Sequence, residues 1–295
     1  LHLLSRRQRQ MCIRDRLKNE VVHSVWAMWH QMQEGDFVQT YTEKGFRGND
    51  KEWESMCIPF GEDAKICLNG VIDRVDLCSL PGEELIKIID YKSSDSQDLL
   101  LAKVYYGLQM QLLTYLEAAK EMVEKEHKGK EAVPAAMLYY AIKEKNLDWK
   151  PESEEEYEKR VLDSMKCKGY VNEEPEIIGH LDKSVVNGGE LIPGQKSGVV
   201  PVAVDKKGLL KKNSGALSTK DFETLIAHTK EKMKECGKAI LDGKIEAIPY
   251  VYEDNDGCTY CPYGSVCGHE SKKDGVREMK KMSDDEVWEA LYGDD

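Results

Sequence analysis

The sequence contains no apolar run close to the roughly 20 residues that a membrane-spanning helix needs, so we expect no membrane segment. No charged and then apolar signal peptide opens it either. It also lacks an excess of positive charge, because 42 lysines and arginines stand against 54 aspartates and glutamates, a net charge of −12. This balance argues against holding nucleic acid by bulk positive charge, although the acidic site of a metal-dependent nuclease does not require it. With 41% apolar residues, we expect a cytoplasmic protein with a real core.

Nine cysteines are an odd number for a chain of cytoplasmic character, and we predict no disulfide framework. Three of them are clustered near the C-terminal end of the sequence. The others are scattered, and scattered cysteines are usually small buried hydrophobic residues. These six are Cys12, Cys57, Cys67, Cys78, Cys167 and Cys236.

The opening segment, LHLLSRRQRQMCIRDR, carries five arginines and one acid in an otherwise acidic protein. It resembles translated adapter sequence, so we predict that residues 1–16 are artefactual and exclude them from the fold. A genuine basic helix is the alternative. The chain starts at Leu1 and not at Met, so we expect a C-terminal fragment of a longer protein. Residues 17–272 then form the main domain, and residues 273–295 an acidic tail with a short helix.

The central part of the sequence predicts an α/β fold. Residues 65–77 alternate and are rich in β-branched side chains, which predicts a strand bent at Gly70. A Pro-Gly turn signal leads to a second strand at 85–91, so the two form a β-hairpin. Apolar spacing predicts a long helix at 99–126, and a third strand follows at 132–142. The order strand, strand, helix, strand indicates a mixed sheet flanked by helices.

Outside this core the sequence predicts further helices and one long loop. Residues 167–220 are rich in glycine, lysine and serine, which predicts a loop that contains a hairpin. The predicted helices are 17–34, 150–166, 218–243 and 283–291, the last with a capping box of Ser283 and Glu286.

Acidic residues stand within the apolar runs of the predicted hairpin, where strands rarely carry them. Asp73 lies in VIDRVD of the first strand, and Asp90 and Lys92 lie in KIIDYK of the second. Side chains alternate along a strand, so Asp90 and Lys92 share a face, and the hairpin register brings Asp73 beside them. Two carboxylates suit Mg²⁺, and a lysine nearby can orient or deprotonate a metal-bound water. Surface charge at a strand end is the alternative.

Polar residues on the following helix extend this pattern. Gln111 and Tyr115 are four residues apart and share a helix face, which would place an amide and a hydroxyl near a phosphate or nucleotide. Core packing is the alternative for Tyr115. Arg74 and Asp76 carry a weaker signal, which fits either a local ion pair or support of the neighbouring acids.

The hairpin and this helix resemble the three core motifs of the PD-(D/E)XK nucleases of the RecB type. The matching segments, in order, are GVIDRVD (70–76), IIDYKSS (88–94) and YYGLQMQLLTYL (105–116). The resemblance implies a restriction-endonuclease-like core that hydrolyses phosphodiester bonds of DNA with Mg²⁺. It implies a metal ligand in the backbone carbonyl of Tyr91, whereas the family's upstream metal-binding histidine is not visible and His23 is left unassigned. The implied catalytic residues are Asp73, Asp90, Lys92, Gln111 and Tyr115.

Cys258, Cys261 and Cys267 follow the spacing C-x2-C-x5-C near the C-terminal end. Thiolates at such spacing bind zinc or an iron–sulfur cluster, and a closed site needs a fourth ligand. Pro262 and the flanking tyrosines favour a cluster, since a zinc ribbon would show a second CxxC. His269 keeps zinc as an alternative.

A RecB-type nuclease core followed by this cysteine spacing resembles the C-terminal domain of the AddB family, a component of the AddAB helicase–nucleases, from residue 17 to about residue 292. The resemblance implies a [4Fe–4S] cluster whose fourth cysteine lies upstream of this sequence. It implies an exonuclease domain that cuts the 5′-ended strand in double-strand break repair by homologous recombination. It also implies DNA and an AddA-like helicase/nuclease subunit, in a heterodimer, as partners.

Two other functions stay open at this point: a stand-alone RecB-like exonuclease with a cluster, similar to the CRISPR-associated kind, and a non-catalytic, metal-bound scaffold subunit. Loop lysines offer weak candidates for DNA contacts, with solvated surface charge as the equal alternative. These are Lys206, Lys207, Lys211 and Lys212.

Overall fold

The structure is a computed structural model that describes residues 2–48, 53–61, 64–93, 98–142, 153–270 and 275–293. The chain divides into two compact units. The first holds residues 1–56, 68–99 and 111–223, and the second holds residues 57–67, 100–110 and 224–295. Within the described residues, no helix has both the length and the apolar character needed to cross a membrane.

Helices and strands alternate along most of the described chain. The helices are α1 (His2–Gln33), α2 (Leu101–Tyr105), α3 (Gln111–Glu126), α4 (Glu154–Ser164), α5 (Pro175–Leu181), α6 (Thr219–Leu241), α7 (Gly264–Cys267) and α8 (Asp284–Tyr292), with a 3-10 turn at Lys183–Val185. The strands are β1 (Val38–Phe46), β2 (Met56–Phe60), β3 (Ala64–Leu68), β4 (Gly70–Leu80), β5 (Glu83–Lys92), β6 (Glu131–Ala141), β7 (Lys168–Asn172), β8 (Val186–Asn187), β9 (Glu190–Leu191), β10 (Ala216–Leu217), β11 (Tyr250–Tyr252), β12 (Asn255–Asp256) and β13 (Arg277–Met279).

The first unit is built on a six-stranded sheet with the strand order β1-β4-β5-β6-β7-β10. Strands β4 and β5 form the predicted antiparallel hairpin, and Gly82 in its turn has a φ of +85°, which glycine adopts without strain. Strand β5 runs parallel to β6, so the connection between them has to cross over, and α3 lies in that connection. The predicted α/β fold with a mixed sheet flanked by helices is confirmed.

Both faces of this sheet are covered by helices. Helix α3 packs against β5 and β6 on one face, where Leu116 is fully buried. On the other face, Ala27 of α1, Val161 of α4 and Ile178 of α5 join Leu138 of β6 in one apolar core. Burying an aliphatic side chain of this size stabilises the fold by about 2 kcal/mol. Because helices occupy the middle of both faces, a polar site fits best at the ends of the strands.

The single strand predicted at 65–77 is wrong, because the chain forms two strands there. Strand β3 ends at Leu68 and β4 begins at Gly70. A Cβ at Gly70 would lie 2.7 Å from the ring of Phe46, so only glycine fits where β4 begins. The bend predicted at Gly70 is therefore real, but it separates two strands that pair with different neighbours.

The single helix predicted at 99–126 is also interrupted. Helix α2 ends at Tyr105 and α3 begins at Gln111. Between them, Gly107 has a φ of +76°, and the N–H of Leu108 donates back to the carbonyl of Lys103 at 2.7 Å. The apolar spacing continues through the break, which is why periodicity alone predicts one helix.

The long loop predicted at 167–220 contains more regular structure than its composition suggests. Strand β7 and helix α5 both lie within it, and Pro175 occupies the first turn of α5, where its missing N–H is not needed. The predicted hairpin is present, because Val204 and Leu210 form an antiparallel bridge.

The other helix predictions agree with the structure apart from their ends. Helix α1 extends from His2 to Gln33, so it begins well before the predicted residue 17, and the artefactual origin of residues 1–16 stays a prediction. Helices α4, α6 and α8 are confirmed, while residues 150–152 of the predicted acidic helix lie outside the described residues. Both hydrogen bonds of the predicted capping box are present at Ser283 and Glu286.

Cys57 and Cys67 form a disulfide between β2 and β3 in the second unit, which corrects the prediction that scattered cysteines are free and buried. Two strands joined by a short turn bring their facing residues together, and a spacing of ten residues in sequence does not reveal this pairing. Of the other scattered cysteines, Cys78 and Cys167 are buried as predicted, Cys236 is exposed, and the side chain of Cys12 lies outside the described ones.

The second unit has its own small sheet, with the strand order β12-β11-β13. The rings of Tyr105 and His228 stack with centroids 5.2 Å apart, and His228 Nε2 lies 2.8 Å from the carbonyl oxygen of Tyr105. The hydroxyl of Tyr106 donates to the carbonyl of Lys280 at 3.1 Å. These contacts join segments that are far apart in sequence.

Candidate active site

The hairpin register brings two carboxylates together at the open end of β4 and β5. Arg74 pairs with Ile89, so the next facing positions are those of Asp73 and Asp90. The backbone N–H of Tyr91 donates to Asp73 Oδ2 at 2.8 Å. This hydrogen bond holds the Asp73 carboxylate against β5, beside Asp90.

Asp90 is almost fully buried, with 2% of its surface exposed. Burial raises the pKa of Asp90 above its usual value; the Lys92 ammonium opposes this shift, and the Asp73 carboxylate adds to it. Asp90 Oδ2 forms an ion pair with Lys92 but accepts no hydrogen bond of good geometry from the described residues. A buried carboxylate oxygen with lone pairs to spare is suited to binding a cation.

Lys92 connects the two carboxylates to helix α3. Its Nζ donates to Gln111 Oε1 at 3.1 Å, in addition to the ion pair with Asp90. Gln111 Nε2 in turn donates to the hydroxyl of Tyr115 at 2.9 Å. The structure therefore brings all five residues that the motifs single out into one continuous polar cluster, with their catalytic roles still a prediction.

Tyr139 belongs to this cluster and was not predicted. It pairs with Asp90 across β5 and β6, and Lys92 Nζ lies 5.1 Å from the centre of its ring. Burial raises the pKa of Tyr139 to about 12, with further contributions from Asp90 and Tyr115. The strand that carries Tyr139 was predicted, but only its register against β5 reveals that Tyr139 faces the site.

The oxygen donors of the cluster fit a hard divalent cation that keeps several waters. No group of three His, Cys, Asp or Glu side chains in the described ranges is arranged to hold a metal ion. Asp73 and Asp90 alone would therefore have to be completed by waters and by an oxygen of another kind. Backbone carbonyls are ordinary ligands of such cations, and the predicted third ligand, the carbonyl of Tyr91, belongs to the residue whose N–H holds Asp73.

Arg74 and Asp76 lie on the opposite face of the hairpin, where they form a buried ion network with Lys87. Arg74 donates to both Asp76 oxygens, at 2.6 and 2.8 Å, and Lys87 Nζ lies 2.9 Å from Asp76 Oδ2. Burial acts to raise the pKa of Asp76, but Lys87 and Arg74 outweigh it and hold the pKa below its usual value. The pair is thus a local ion pair on β4, one residue beyond Asp73.

Asp76→Asn is expected to lower the free energy of unfolding by about 3 kcal/mol, because it leaves Arg74 and Lys87 buried without their counter-charge. Denaturant unfolding followed by circular dichroism measures this loss. Replacing the whole network by apolar residues (Arg74→Met, Asp76→Leu and Lys87→Met together) should restore most of the stability. The exposed Asp163→Asn is the matched control, and a loss of similar size there would contradict the explanation.

The three clustered cysteines lie in the second unit. Cys258, Cys261 and Cys267 are exposed free thiols, and Cys267 ends the short helix α7. Asp256 Oδ1 accepts from the N–H of Cys258 at 2.9 Å and orders the turn before the CxxC segment. The described residues do not gather the three thiols into a metal-binding group, so the iron–sulfur cluster stays a prediction.

The lysines predicted to contact DNA lie on the hairpin that the bridge between Val204 and Leu210 closes. Asp205 Oδ1 accepts from the N–H of Lys207 at 2.7 Å and stabilises the turn. The side chains of all four lysines are exposed, and their role in DNA binding stays a prediction: Lys206, Lys207, Lys211 and Lys212.

His23, left unassigned from the sequence, packs edge-on against Tyr157 with ring centroids 5.9 Å apart. The neighbouring Ser24 donates to the carbonyl of Ile142 at 3.0 Å. Helix α1 lies on the face of the sheet that carries Tyr140. These contacts give His23 a packing role on that face.

The curated relatives that match this chain are each named as a subunit, designated B, of an ATP-dependent helicase/deoxyribonuclease. The protein of Thermoanaerobacter sp. (strain X514) is 31% identical over 293 residues, which cover 98% of this chain and 24% of that protein. The protein of Lachnoclostridium phytofermentans is 32% identical over 297 aligned residues, 99% of this chain and 24% of that protein. The protein of Caldanaerobacter subterraneus subsp. tengcongensis is 34% identical over 276 residues, 93% of this chain and 23% of that protein. The chain thus spans about a quarter of the length of these relatives.

A family model described as the PD-(D/E)XK nuclease superfamily matches residues 3–268, which include the whole central sheet and α3. The three motifs that resemble this family carry the side chains of the polar cluster around Asp73, Asp90 and Lys92. Nucleases of this kind work with divalent metal ions, which agrees with the oxygen donors of the cluster. The chain therefore belongs to the PD-(D/E)XK nuclease superfamily.

Proposed function

We propose that this chain is the nuclease domain of an AddAB-type helicase–nuclease, and that it hydrolyses phosphodiester bonds of DNA with Mg²⁺. The observation that carries the proposal is the convergence of Asp73, Asp90 and Lys92 at one end of the β4–β5 hairpin. The names of the relatives, which join a helicase to a deoxyribonuclease, support the same assignment. In this proposal the domain acts as an exonuclease on the 5′-ended strand during double-strand break repair by homologous recombination.

Each residue of the cluster has a role that follows from its position. Asp73 and Asp90, with the carbonyl of Tyr91, would hold Mg²⁺, which supplies an acidified water and stabilises negative charge on the phosphate. Lys92 is held within reach of the same place by Asp90 and Gln111, so it can take a proton from the attacking water or offset charge on the phosphate.

Gln111 and Tyr115 complete the site from the helix side. The hydrogen bond between Gln111 Nε2 and the Tyr115 hydroxyl fixes the amide, so that its oxygen faces Lys92. The amide thereby orients the ammonium instead of leaving it to rotate freely. Both residues would also present a hydrogen-bonding edge to the DNA backbone.

The partners and the second cofactor follow from the same assignment. An AddA-like subunit would supply the second half of the heterodimer, and DNA would be the substrate in the cytoplasm. Cys258, Cys261 and Cys267 would supply three thiolates to a [4Fe–4S] cluster whose fourth ligand lies outside the described residues. The negative net charge is compatible with this assignment, because other parts of such a machine can supply most of the affinity for DNA.

The proposed function predicts that Asp73→Asn lowers Mg²⁺-dependent cleavage of linear DNA by roughly 10³-fold, because it removes a charged metal ligand. The whole protein that carries this chain is the enzyme to assay, and released nucleotides give the rate. Asp163→Asn, which changes an exposed carboxylate of α4, is the matched control and should keep the rate of the wild-type protein. Equal rates for Asp73→Asn and the wild-type protein would refute the proposal.

A further inference from the structure

A row of facing residues crosses the sheet from the candidate active site to its neighbouring strands. Asp90 of β5 pairs with Tyr139 of β6, and Tyr139 pairs with Lys168 of β7. Residues that pair in this way point to the same face of a sheet. Neighbouring strands lie about 4.8 Å apart, so the Cα of Lys168 is about 10 Å from that of Asp90. Lys168 therefore stands on the face of the site, two strands beyond the carboxylates.

The present partner of Lys168 is a carboxylate that can be exchanged. Lys168 Nζ lies 2.8 Å from Asp98 Oδ1, and the two side chains are 35% and 63% exposed. An ion pair with this exposure contributes only about 0–1 kcal/mol, since water solvates both ions well once they separate. A stronger anion can displace Asp98 at little cost.

The other cation of the site does not duplicate this position. Lys92 is engaged by the buried Asp90, by Gln111 and by the ring of Tyr139. It is therefore held where the metal and the reacting phosphate would meet. A DNA strand that lies across the site carries further phosphates on either side of that point, and these need a cation of their own.

We propose that Lys168 binds a backbone phosphate of the DNA strand next to the one that is cut, and that this phosphate displaces Asp98. This inference rests on the proposed nuclease function and deepens it, because it assigns a second phosphate subsite on β7. The ammonium of a lysine recognises a phosphate as a point charge and reads no base, so the subsite favours any strand that continues past the cut. Asp98 serves as a placeholder that keeps Lys168 paired while no DNA is bound.

Two short substrates separate this role from a structural one, and both are cut without help from a helicase motor. A dinucleotide has one phosphodiester and cannot fill a second subsite, whereas a single-stranded tetranucleotide can. In the whole protein, Lys168→Met should lower kcat/KM for the tetranucleotide by about tenfold, mostly through KM. Cleavage of the dinucleotide should not change. Lys168→Arg should recover most of the loss, because it restores the positive charge.

Removing the placeholder should have the opposite effect. Asp98→Asn lowers the competition for Lys168, so KM for the tetranucleotide should fall by about twofold to threefold, with no change for the dinucleotide. Lys125→Met is the matched control: Lys125 also pairs with an exposed carboxylate, that of Glu54, but it lies fourteen residues after Gln111 on α3, about 21 Å along the helix. This variant should match the wild-type protein on both substrates.

The outcomes distinguish this inference from the function on which it rests. If Lys168→Met slows both substrates equally, the residue acts on the fold or on the chemistry, and the subsite is wrong. If the variant matches Lys125→Met on the tetranucleotide, Lys168 does not bind the strand. A wild-type protein that cuts neither substrate contradicts the proposed nuclease itself, a result that no change at Lys168 can imitate.

Discussion

Asp90→Asn is expected to abolish cleavage while it stabilises the metal-free protein. The carboxylate is 2% exposed and lies beside Asp73, so the metal-free fold carries a buried charge next to a like charge. Asparagine keeps the shape and removes that charge, while Lys92 keeps its hydrogen bond to Gln111. We expect a gain of about 1 kcal/mol in the free energy of unfolding and a loss of at least roughly 10³-fold in cleavage rate. A stability gain at the cost of activity is typical of a strained active site.

The pH dependence of this gain follows from the direction of the pKa shift. The pKa of Asp90 is raised above 3.8 in the folded protein, mainly by burial. Below that value the carboxyl group is protonated in both states and contributes no difference. As the pH rises through the raised pKa, the folded state loses stability relative to the unfolded state, and Asp90→Asn removes this loss. The advantage of the variant should therefore be small near about pH 4 and full at about pH 7.

Urea unfolding with a chelator present measures this prediction, and nucleotide release with Mg²⁺ measures the activity. Asp163→Asn again provides the comparison, because its carboxylate is exposed and its loss should alter neither quantity. If Asp90→Asn destabilises the metal-free protein at neutral pH, the ion pair with Lys92 outweighs the burial of the carboxylate. If the variant still cuts DNA, Asp90 is not a metal ligand.

Lys92→Met is expected to lower the cleavage rate by roughly 10³-fold while the binding of divalent ions is retained. Methionine preserves the apolar stem beside Tyr139 but removes the ammonium that Asp90 and Gln111 orient. Both carboxylates remain, so the metal site keeps its charged ligands. The loss should therefore appear in the rate of the chemical step and not in the metal affinity.

Single-turnover cleavage under saturating Mg²⁺ measures the chemical step, and calorimetric titration with Mg²⁺ measures the affinity. Lys125→Met is the matched control for the loss of one ammonium. Lys92→Arg separates the two possible roles: it keeps the charge but cannot release a proton, so recovered cleavage indicates charge stabilisation and lost cleavage indicates proton transfer. A Lys92→Met protein that cuts at the wild-type rate would remove Lys92 from the mechanism.

The sequence determines the local parts of the site. Alternation in VIDRVD and KIIDYK, with a Pro-Gly turn between them, is sufficient to pair Asp73 with Asp90, because a tight hairpin fixes its own register. The spacing of Gln111 and Tyr115 likewise requires only one turn of helix. These contacts are short in sequence, and so local patterns predict them.

Sequence patterns fail where distant segments or special backbone conformations decide the structure. The break between α2 and α3 depends on a left-handed Gly107, and the start of β4 depends on the ring of Phe46 beside Gly70. The disulfide between Cys57 and Cys67 depends on the pairing of two short strands. None of these features changes the apolar period from which helices and strands are predicted.

Only the tertiary structure decides which residues surround the carboxylates beyond the hairpin. Tyr139 and Lys168 reach the face of the site because β6 pairs with β5 in parallel and β7 then pairs with β6. A parallel pair has no turn to fix its register, so the register depends on the packing of α3 and of the opposite core against the sheet. The sequence by itself therefore determined that this chain carries two acids and a lysine on one hairpin. The folded sheet decided what stands beside them, since long-range register is a property of packing and not of any local pattern.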